Sequence, residues 1–199
     1  MRKILFGIFC IGILTSGCKQ ILMWKYGITN PKIETPESIL KFANKYNQNL
    51  KQIYIFKDTT SYFSSMKDTN FKKNILSVLF FNQDRYFIDY RKSGQCQWSG
   101  GAFLQQYSKD SIYTIDSNFQ LKSLTTKIIP IMADEELKDS TDYDLTIIGI
   151  WANFIGKYNE RLFCVSDVAK NRQDLKLRII LLNMDMLKDW NLNKDQMLK

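Results

Sequence analysis

The segment LTIIGIWANFIGKY, from Leu145 to Tyr158, gives the clearest indication of the fold of this chain. Its first half, through Trp151, is apolar and rich in β-branched residues, which predicts a strand buried on both faces. Apolar side chains then recur at helical spacing and predict a helix from Phe154 to about Lys170. A second apolar strand is predicted at Leu175–Leu182. Strand, helix and strand joined by short links predict a right-handed crossover within a mixed sheet.

Further helices and strands surround this unit. Thr35 and Pro36 are typical of a helix start and predict a helix to about Tyr46. Two more helices are predicted, one capped by Asp58 and ending at Met66, and one from Ser99 to about Tyr107. The other predicted strands are Gln52–Phe56, Ile75–Phe81, Arg85–Tyr90, Ser111–Ile115 and Lys127–Met132. The sequence therefore predicts an α/β protein whose mixed sheet is flanked by helices.

The N-terminus is typical of a secretory signal. Two basic residues precede the apolar run Ile4–Leu14, which is shorter than the roughly 20 residues that span a bilayer. Small residues then lead to Cys18 and resemble the lipobox of bacterial lipoproteins. That resemblance implies a signal peptide over residues 1–17, diacylglyceryl and N-acyl chains on Cys18, a tether over residues 18–32 and a domain over residues 33–199.

Two alternatives remain for this N-terminus: an ordinary signal peptide cut near Gly17, and an uncleaved anchor. A lipidated Cys18 would hold the protein at the bacterial cell envelope. Lys19 stands where Gram-negative lipoproteins retained in the inner membrane carry aspartate, which favours the outer membrane.

Composition excludes several classes of chemistry. The chain has no histidine, so Ser-His-Asp and Cys-His triads and histidine-ligated zinc are excluded. Removing the two cations of residues 1–17 leaves 26 basic and 20 acidic residues, a net charge of +6. The lysines are scattered, and nucleic acid is not expected as a partner outside the cytoplasm. We expect no cofactor, and the membrane and an envelope protein are the expected partners.

Cys96 and Cys164 are the cysteines that remain after Cys18. In an oxidising envelope they could form a disulfide, and they could equally be small buried hydrophobic residues. Cys96 precedes a predicted helix start, where backbone N–H groups would stabilise a thiolate. Cys164 lies away from the apolar stripe of its helix.

Residues 134–144 form the most acidic stretch of the chain. Carboxylates at this density could bind calcium. The calcium-loop spacing with its central glycine is missing, so a solvated acidic loop is favoured and no metal site is predicted.

The segment from Leu145 to Asp185 resembles thioredoxin. In that family a strand leads into Phe-Trp-Ala-x-Trp-Cys-Gly-Pro-Cys-Lys, a long helix follows, and the next strand ends near Asn-x-Asp. Here Trp151, Ala152 and Gly156 match, and Asn183-Met184-Asp185 ends the unit. The hairpin predicted at residues 75–90 resembles the later half of that fold but precedes the unit. The resemblance implies either a permuted order or two half-units.

The resemblance implies that the family's chemistry is absent here. Its two reactive cysteines correspond to Ile155 and Tyr158, and Lys157 stands where the motif has proline. Its buried aspartate corresponds to Gly149, and its cis proline falls near Leu76. Thiol exchange needs a thiolate and a resolving thiol, which isoleucine and tyrosine cannot supply.

Three functions follow from these observations. The first is a non-catalytic, thioredoxin-like interaction module on an envelope lipoprotein. The second is a thiol–disulfide oxidoreductase that uses Cys96, with Cys164 as resolving partner. The third is a small-ligand or immunity-type binding protein, for which the sequence offers no site. Trp98, Trp151 and Trp190 are interpreted as core or rim residues.

Overall fold

Leu145–Trp151 is the central strand of a mixed seven-stranded sheet in the computed structural model, which describes residues 23–90, 100–132, 142–190 and 192. In chain order the strands are β1 Ile33–Glu34, β2 Ile53–Phe56, β3 Val78–Asn82, β4 Tyr86–Ile88, β5 Ile115–Gln120, β6 Ile128–Pro130, β7 Leu145–Trp151, β8 Leu177–Asn183 and β9 Met186–Leu187. The helices are α1 Pro36–Lys45, α2 Thr59–Lys67, α3 Thr69–Lys72, α4 Gly100–Gln106, α5 Lys122–Thr125 and α6 Glu160–Lys170. Short 3-10 helices occupy Leu50–Gln52, Asn153–Asn159 and Lys188–Trp190. The predicted α/β class is confirmed.

The large sheet has the strand order β5-β4-β3-β7-β8-β2-β6. β7 is parallel to β8, and β8 is parallel to β2. β3 runs antiparallel to β7 and forms a hairpin with β4. The β7–α6–β8 unit and the β3–β4 hairpin therefore share one sheet, with β3 next to β7. A separate parallel pair joins β1 to β9.

Two hydrophobic cores lie on the two faces of the sheet, and β7 supplies both. All seven residues of β7 are buried. Ile147 and Trp151 belong to one core, and Ile148 and Ile150 belong to the other. This alternation follows from the two-residue period of a strand. A continuous apolar run is therefore required at this place in the sheet.

Helix caps agree with the sequence interpretation. Thr35 caps α1, where the Ser38 amide donates to the Thr35 hydroxyl over 3.3 Å and the Ser38 hydroxyl accepts from the Thr35 amide over 2.9 Å. Asp58 caps α2 by accepting from the Ser61 amide over 2.6 Å. These side chains satisfy amides that no helical carbonyl can reach.

Two sequence predictions are wrong in detail. The helix predicted from Phe154 begins at Glu160, because Gly156 has φ 55° and ψ −130° and interrupts the 3-10 segment before it. The strand predicted at Ser111–Ile115 lies instead at Ile115–Gln120, where it pairs with β4. Only Phe119 of that edge strand is buried, so the strand carries little hydrophobic pattern.

Candidate functional site

The corner between β7 and α6 is the candidate site, because the predicted active-site positions meet there. Asn159 is fully buried and fixes this corner. Its Nδ2 donates to the Ala152 carbonyl over 2.7 Å and to the Gly156 carbonyl over 3.0 Å. The Met184 amide donates to the Trp151 carbonyl over 2.8 Å, which ties the corner to the end of β8.

Residues 23–29, which we call the N-terminal cover, pack onto this corner. The Thr29 amide donates to the Phe154 carbonyl over 2.8 Å. A Cβ atom at Gly156 would collide with the backbone of Tyr26 and Gly27. The two segments of the chain therefore approach each other as closely as glycine permits. The Tyr26 and Tyr158 rings meet edge to face, with centroids 6.4 Å apart. Part of the segment predicted as a tether therefore contacts the domain.

The structure brings Ile155, Gly156, Lys157 and Tyr158 together at the corner. Ile155 is only 4% exposed, Tyr158 is half-buried and Lys157 is exposed. The Arg161 guanidinium lies over the Tyr158 ring, 5.3 Å from its centroid. The position of the first reactive cysteine in the resemblance is thus filled by a buried aliphatic side chain.

Gly149 and Leu76 lie apart from that group. Gly149 is inside β7, paired with Val78 on one side and Leu181 on the other. A Cβ atom there would lie 3.1 Å from the Leu181 side chain, so the space expected for a buried aspartate is occupied. Leu76, near the position of the family's cis proline, has φ 58°, and no cis peptide bond occurs among the described residues.

Asp185 is a buried carboxyl group next to this corner, just after the end of β8. Its Oδ2 accepts from the Asn153 amide over 2.6 Å and from Asn183 Nδ2 over 2.9 Å. Its Oδ1 has no hydrogen-bond partner among the described residues. Burial raises the pKa of Asp185 to about 6; the two hydrogen bonds oppose that rise and Glu34 adds to it. The carboxyl ends of parallel strands are a common place for ligands.

The described thiol is not activated. Cys164 is half-buried on α6, and its Sγ donates to the Arg161 carbonyl over 3.0 Å. Burial, and then the charge of Asp167, raise the pKa of the Cys164 thiol. Cys18 and Cys96 lie outside the described residues, as do Trp98 and most of the acidic stretch, residues 134–141.

Trp151 and Trp190 pack as interpreted from the sequence. Trp151 is completely buried, and its ring stacks on Phe42 with centroids 5.8 Å apart. Trp190 packs on Tyr62 at 5.4 Å. Neither forms an open aromatic platform.

Sequence reasoning missed a polar cleft of about 340 Å³ beside β4 and the edge strand β5. It is lined by Asn70, Lys73, Asn74, Phe87, Asp89, Asp116 and Phe119. These residues come from α3, the loop after it, β4 and β5, so no local pattern connects them. Asp185 and Asn159 were missed as site residues for a different reason. Asp185 follows an apolar strand and resembles an ordinary end residue, and Asn159 lies within the segment predicted as a helix.

Within residues 23–90, 100–132 and 142–192, apart from 191, no three metal-ligating side chains gather. No helix in that part of the chain is long and apolar enough to cross a membrane. Comparison with models of protein families, with curated proteins and with solved structures finds no match to this chain.

Proposed function

We propose that this protein is a lipid-anchored protein of the bacterial envelope, favouring the outer membrane, whose thioredoxin-like domain is a non-catalytic interaction module. The β7–α6–β8 unit and the β3–β4 hairpin, on which the resemblance rests, adjoin in one sheet. This adjacency supports a permuted order rather than two separate half-units. The lipobox-like residues before Cys18 support the anchor.

One observation carries the non-catalytic part of the proposal: the corner is closed by the chain itself. Thiol exchange requires an attacking thiolate with access to a disulfide. Here Ile155 is buried, and the backbone of Tyr26 and Gly27 lies against Gly156. A protein that no longer exchanges thiols has no need to keep this corner open, and the closed corner becomes a rigid part of a binding surface.

The alternative is a thiol–disulfide oxidoreductase that uses Cys96 with Cys164. The raised pKa of the Cys164 thiol reduces the fraction of thiolate, which is the reactive form. Cys164 is therefore a poor nucleophile for this reaction. The decisive assay is reduction of insulin by the protein and by Cys96→Ser and Cys164→Ser variants. We expect no turnover above buffer in any of them. Turnover that disappears in Cys96→Ser would replace this proposal with the oxidoreductase.

Attachment to the envelope is tested separately. Cells expressing the full chain are labelled with a fatty-acid analogue, and the protein is sought in membrane fractions separated by density. We expect the label on the wild-type protein in the outer-membrane fraction and its loss in Cys18→Ser. An unlabelled wild-type protein cut near Gly17 would show an ordinary secreted protein.

A further inference from the structure

We propose that the N-terminal cover and the start of α6 form a face that lies on an anionic lipid surface, with the Trp24 ring among the headgroups. This inference rests on the proposed lipid anchor at Cys18 and names the orientation that the anchor imposes. It concerns the outer side of the cover, which faces away from the corner.

Trp24 is a large apolar side chain that the fold leaves in solvent. It is 86% exposed, although its backbone is fixed. The Gly27 amide donates to the Trp24 carbonyl over 3.2 Å, and the Ile28 amide donates to the Met23 carbonyl over 2.8 Å. Residues 23–26 form a helical turn. Because the Thr29 amide donates a hydrogen bond to the Phe154 carbonyl, this turn is attached to the domain. Tryptophan is enriched at membrane interfaces, where its amphipathic ring is stable.

The length of chain between the anchor and the cover limits the distance. Five residue steps separate Cys18 from Met23. A fully extended chain spans at most about 3.6 Å per residue, so Met23 stays within roughly 18 Å of the lipidated cysteine. The headgroup layer takes up several ångströms of that length. The turn that carries Trp24 is therefore held next to the bilayer.

The charges around Trp24 favour an anionic surface. Lys25, Lys157 and Arg161 are exposed on the cover, the corner and the first turn of α6. The Arg161 guanidinium lies over the Tyr26 ring, 5.9 Å from its centroid, which directs it to the same face. Glu160 is the exposed acid beside them. Each net positive charge near an anionic leaflet raises the binding constant for that surface about fivefold.

The test couples the mature chain, starting at Cys18, to a maleimide lipid in vesicles, so that it does not depend on lipidation in cells. Cys96 and Cys164 are replaced by serine to direct coupling. The vesicles contain phosphatidylglycerol and brominated phosphatidylcholine, whose bromine atoms quench nearby tryptophan. We expect quenching in this protein and its loss in the variant that also carries Trp24→Phe.

A matched control places tryptophan at the other end of β7. Ile112 is fully exposed and follows Lys109, whose ammonium pairs with Asp144 over 2.8 Å. Asp144 precedes the first residue of β7, and the cover lies beyond the last residue of β7. At the rise of a strand, the two ends of β7 are about 20 Å apart. Trp24→Phe with Ile112→Trp should show no added quenching. Lys157→Gln should lower the ratio of docked to undocked protein about fivefold in phosphatidylglycerol vesicles and little in neutral ones.

Two results separate this inference from the proposed function. Near-ultraviolet circular dichroism shows whether the coupled protein is folded. If Trp24 is unquenched in folded, coupled protein, the proposed orientation is overturned, and this face would instead contact a protein partner. Absence of fatty-acid label on Cys18 in cells would overturn the anchor, whatever the vesicles show. Equal quenching of Trp24 and of the tryptophan at 112 would also overturn the inference, since the domain would then have no preferred face.

Discussion

Asn159 determines the geometry of the turn between β7 and α6. Its side-chain amide donates to the carbonyl groups of Ala152 and Gly156, on either side of the break in the 3-10 segment. Burial of a polar side chain is favourable only when such partners are present. The turn is therefore held by one side chain rather than by the helix that follows it.

Replacing Asn159 with alanine should lower the free energy of unfolding by about 2–4 kcal/mol, because the Ala152 and Gly156 carbonyl groups lose their hydrogen bonds from the Asn159 side chain. Urea denaturation measures the change. Asn171→Ala is the matched control: Asn171 is exposed at the end of α6, and its loss should change stability by less than about 0.5 kcal/mol. Equal effects in the two variants would show that Asn159 does not fix the turn.

Asp185 makes stability depend on pH in a direction opposite to that of most carboxyl groups. Its pKa in the folded protein, about 6, lies above the ordinary value of 3.8 because burial disfavours the charged form. The folded state therefore binds the proton more tightly than the unfolded state. Its contribution is complete below the unfolded pKa and is lost as pH rises through about 6.

The stability of the wild-type protein relative to Asp185→Asn should therefore fall by up to about 3 kcal/mol between pH 4 and pH 7. Asparagine keeps an oxygen that can accept the hydrogen bonds from Asn153 and Asn183 but does not ionise. Urea denaturation of both proteins across this range measures the difference. A rise in the stability of the wild-type protein relative to Asp185→Asn over this range would mean that Asp185 is stabilised as a carboxylate.

At the scale of the elements, the packing of the N-terminal cover on the β7–α6 corner closes the candidate site. Gly156 and Gly27 both have positive φ, at 55° and 62°. They differ in the space around them. A Cβ atom at Gly156 meets the backbone of Tyr26 and Gly27, whereas a Cβ atom at Gly27 meets nothing within 4 Å.

This pair allows the packing of the cover to be measured. Gly27→Ala should cost about 1 kcal/mol from its backbone conformation alone. Gly156→Ala should cost about 2–3 kcal/mol, or should release the cover, because the clash with the cover adds to the strain of placing alanine at φ 55° and ψ −130°. Urea denaturation and limited proteolysis within residues 23–29 report the two outcomes. Identical stability and identical proteolysis of the two variants would argue that the cover does not press on the corner.

In the whole molecule, one sheet separates two hydrophobic cores, and its central strand is paired and buried more completely than its edges. β7 is paired along its length with β3 and β8, and all its residues are buried. β5 is an edge strand that pairs with β4 through an irregular register. Edge strands open at lower free energy than central ones.

Hydrogen exchange followed by mass spectrometry should resolve this gradient. Peptides covering Leu145–Trp151 should exchange at least about a hundredfold more slowly than peptides covering Ile115–Gln120, since the former open only with global unfolding. β6 is the strand at the other edge of the sheet, and peptides covering it should exchange at a rate closer to that of β5 than to that of β7. Equal protection of β7 and β5 would contradict the strand order described here.

Those features of this protein that depend on neighbouring residues can be predicted from the amino-acid sequence. The strand at Leu145–Trp151 has the predicted bounds, and Thr35 and Asp58 cap helices as their positions indicated. Periodicity and capping act over a few residues, so they can be read from the chain. The predicted helix start at Phe154 failed because Gly156 adopts a backbone conformation that helical periodicity does not report.

The contacts between distant segments could not be predicted from the sequence and are seen in the three-dimensional structure. It joined the hairpin to β7, packed the cover against Gly156 and buried the carboxyl group of Asp185. The closed corner and the raised pKa of Asp185 arise from contacts between residues far apart in the chain. Desolvation and steric exclusion depend on what surrounds a group in space, and no local pattern in a sequence states that.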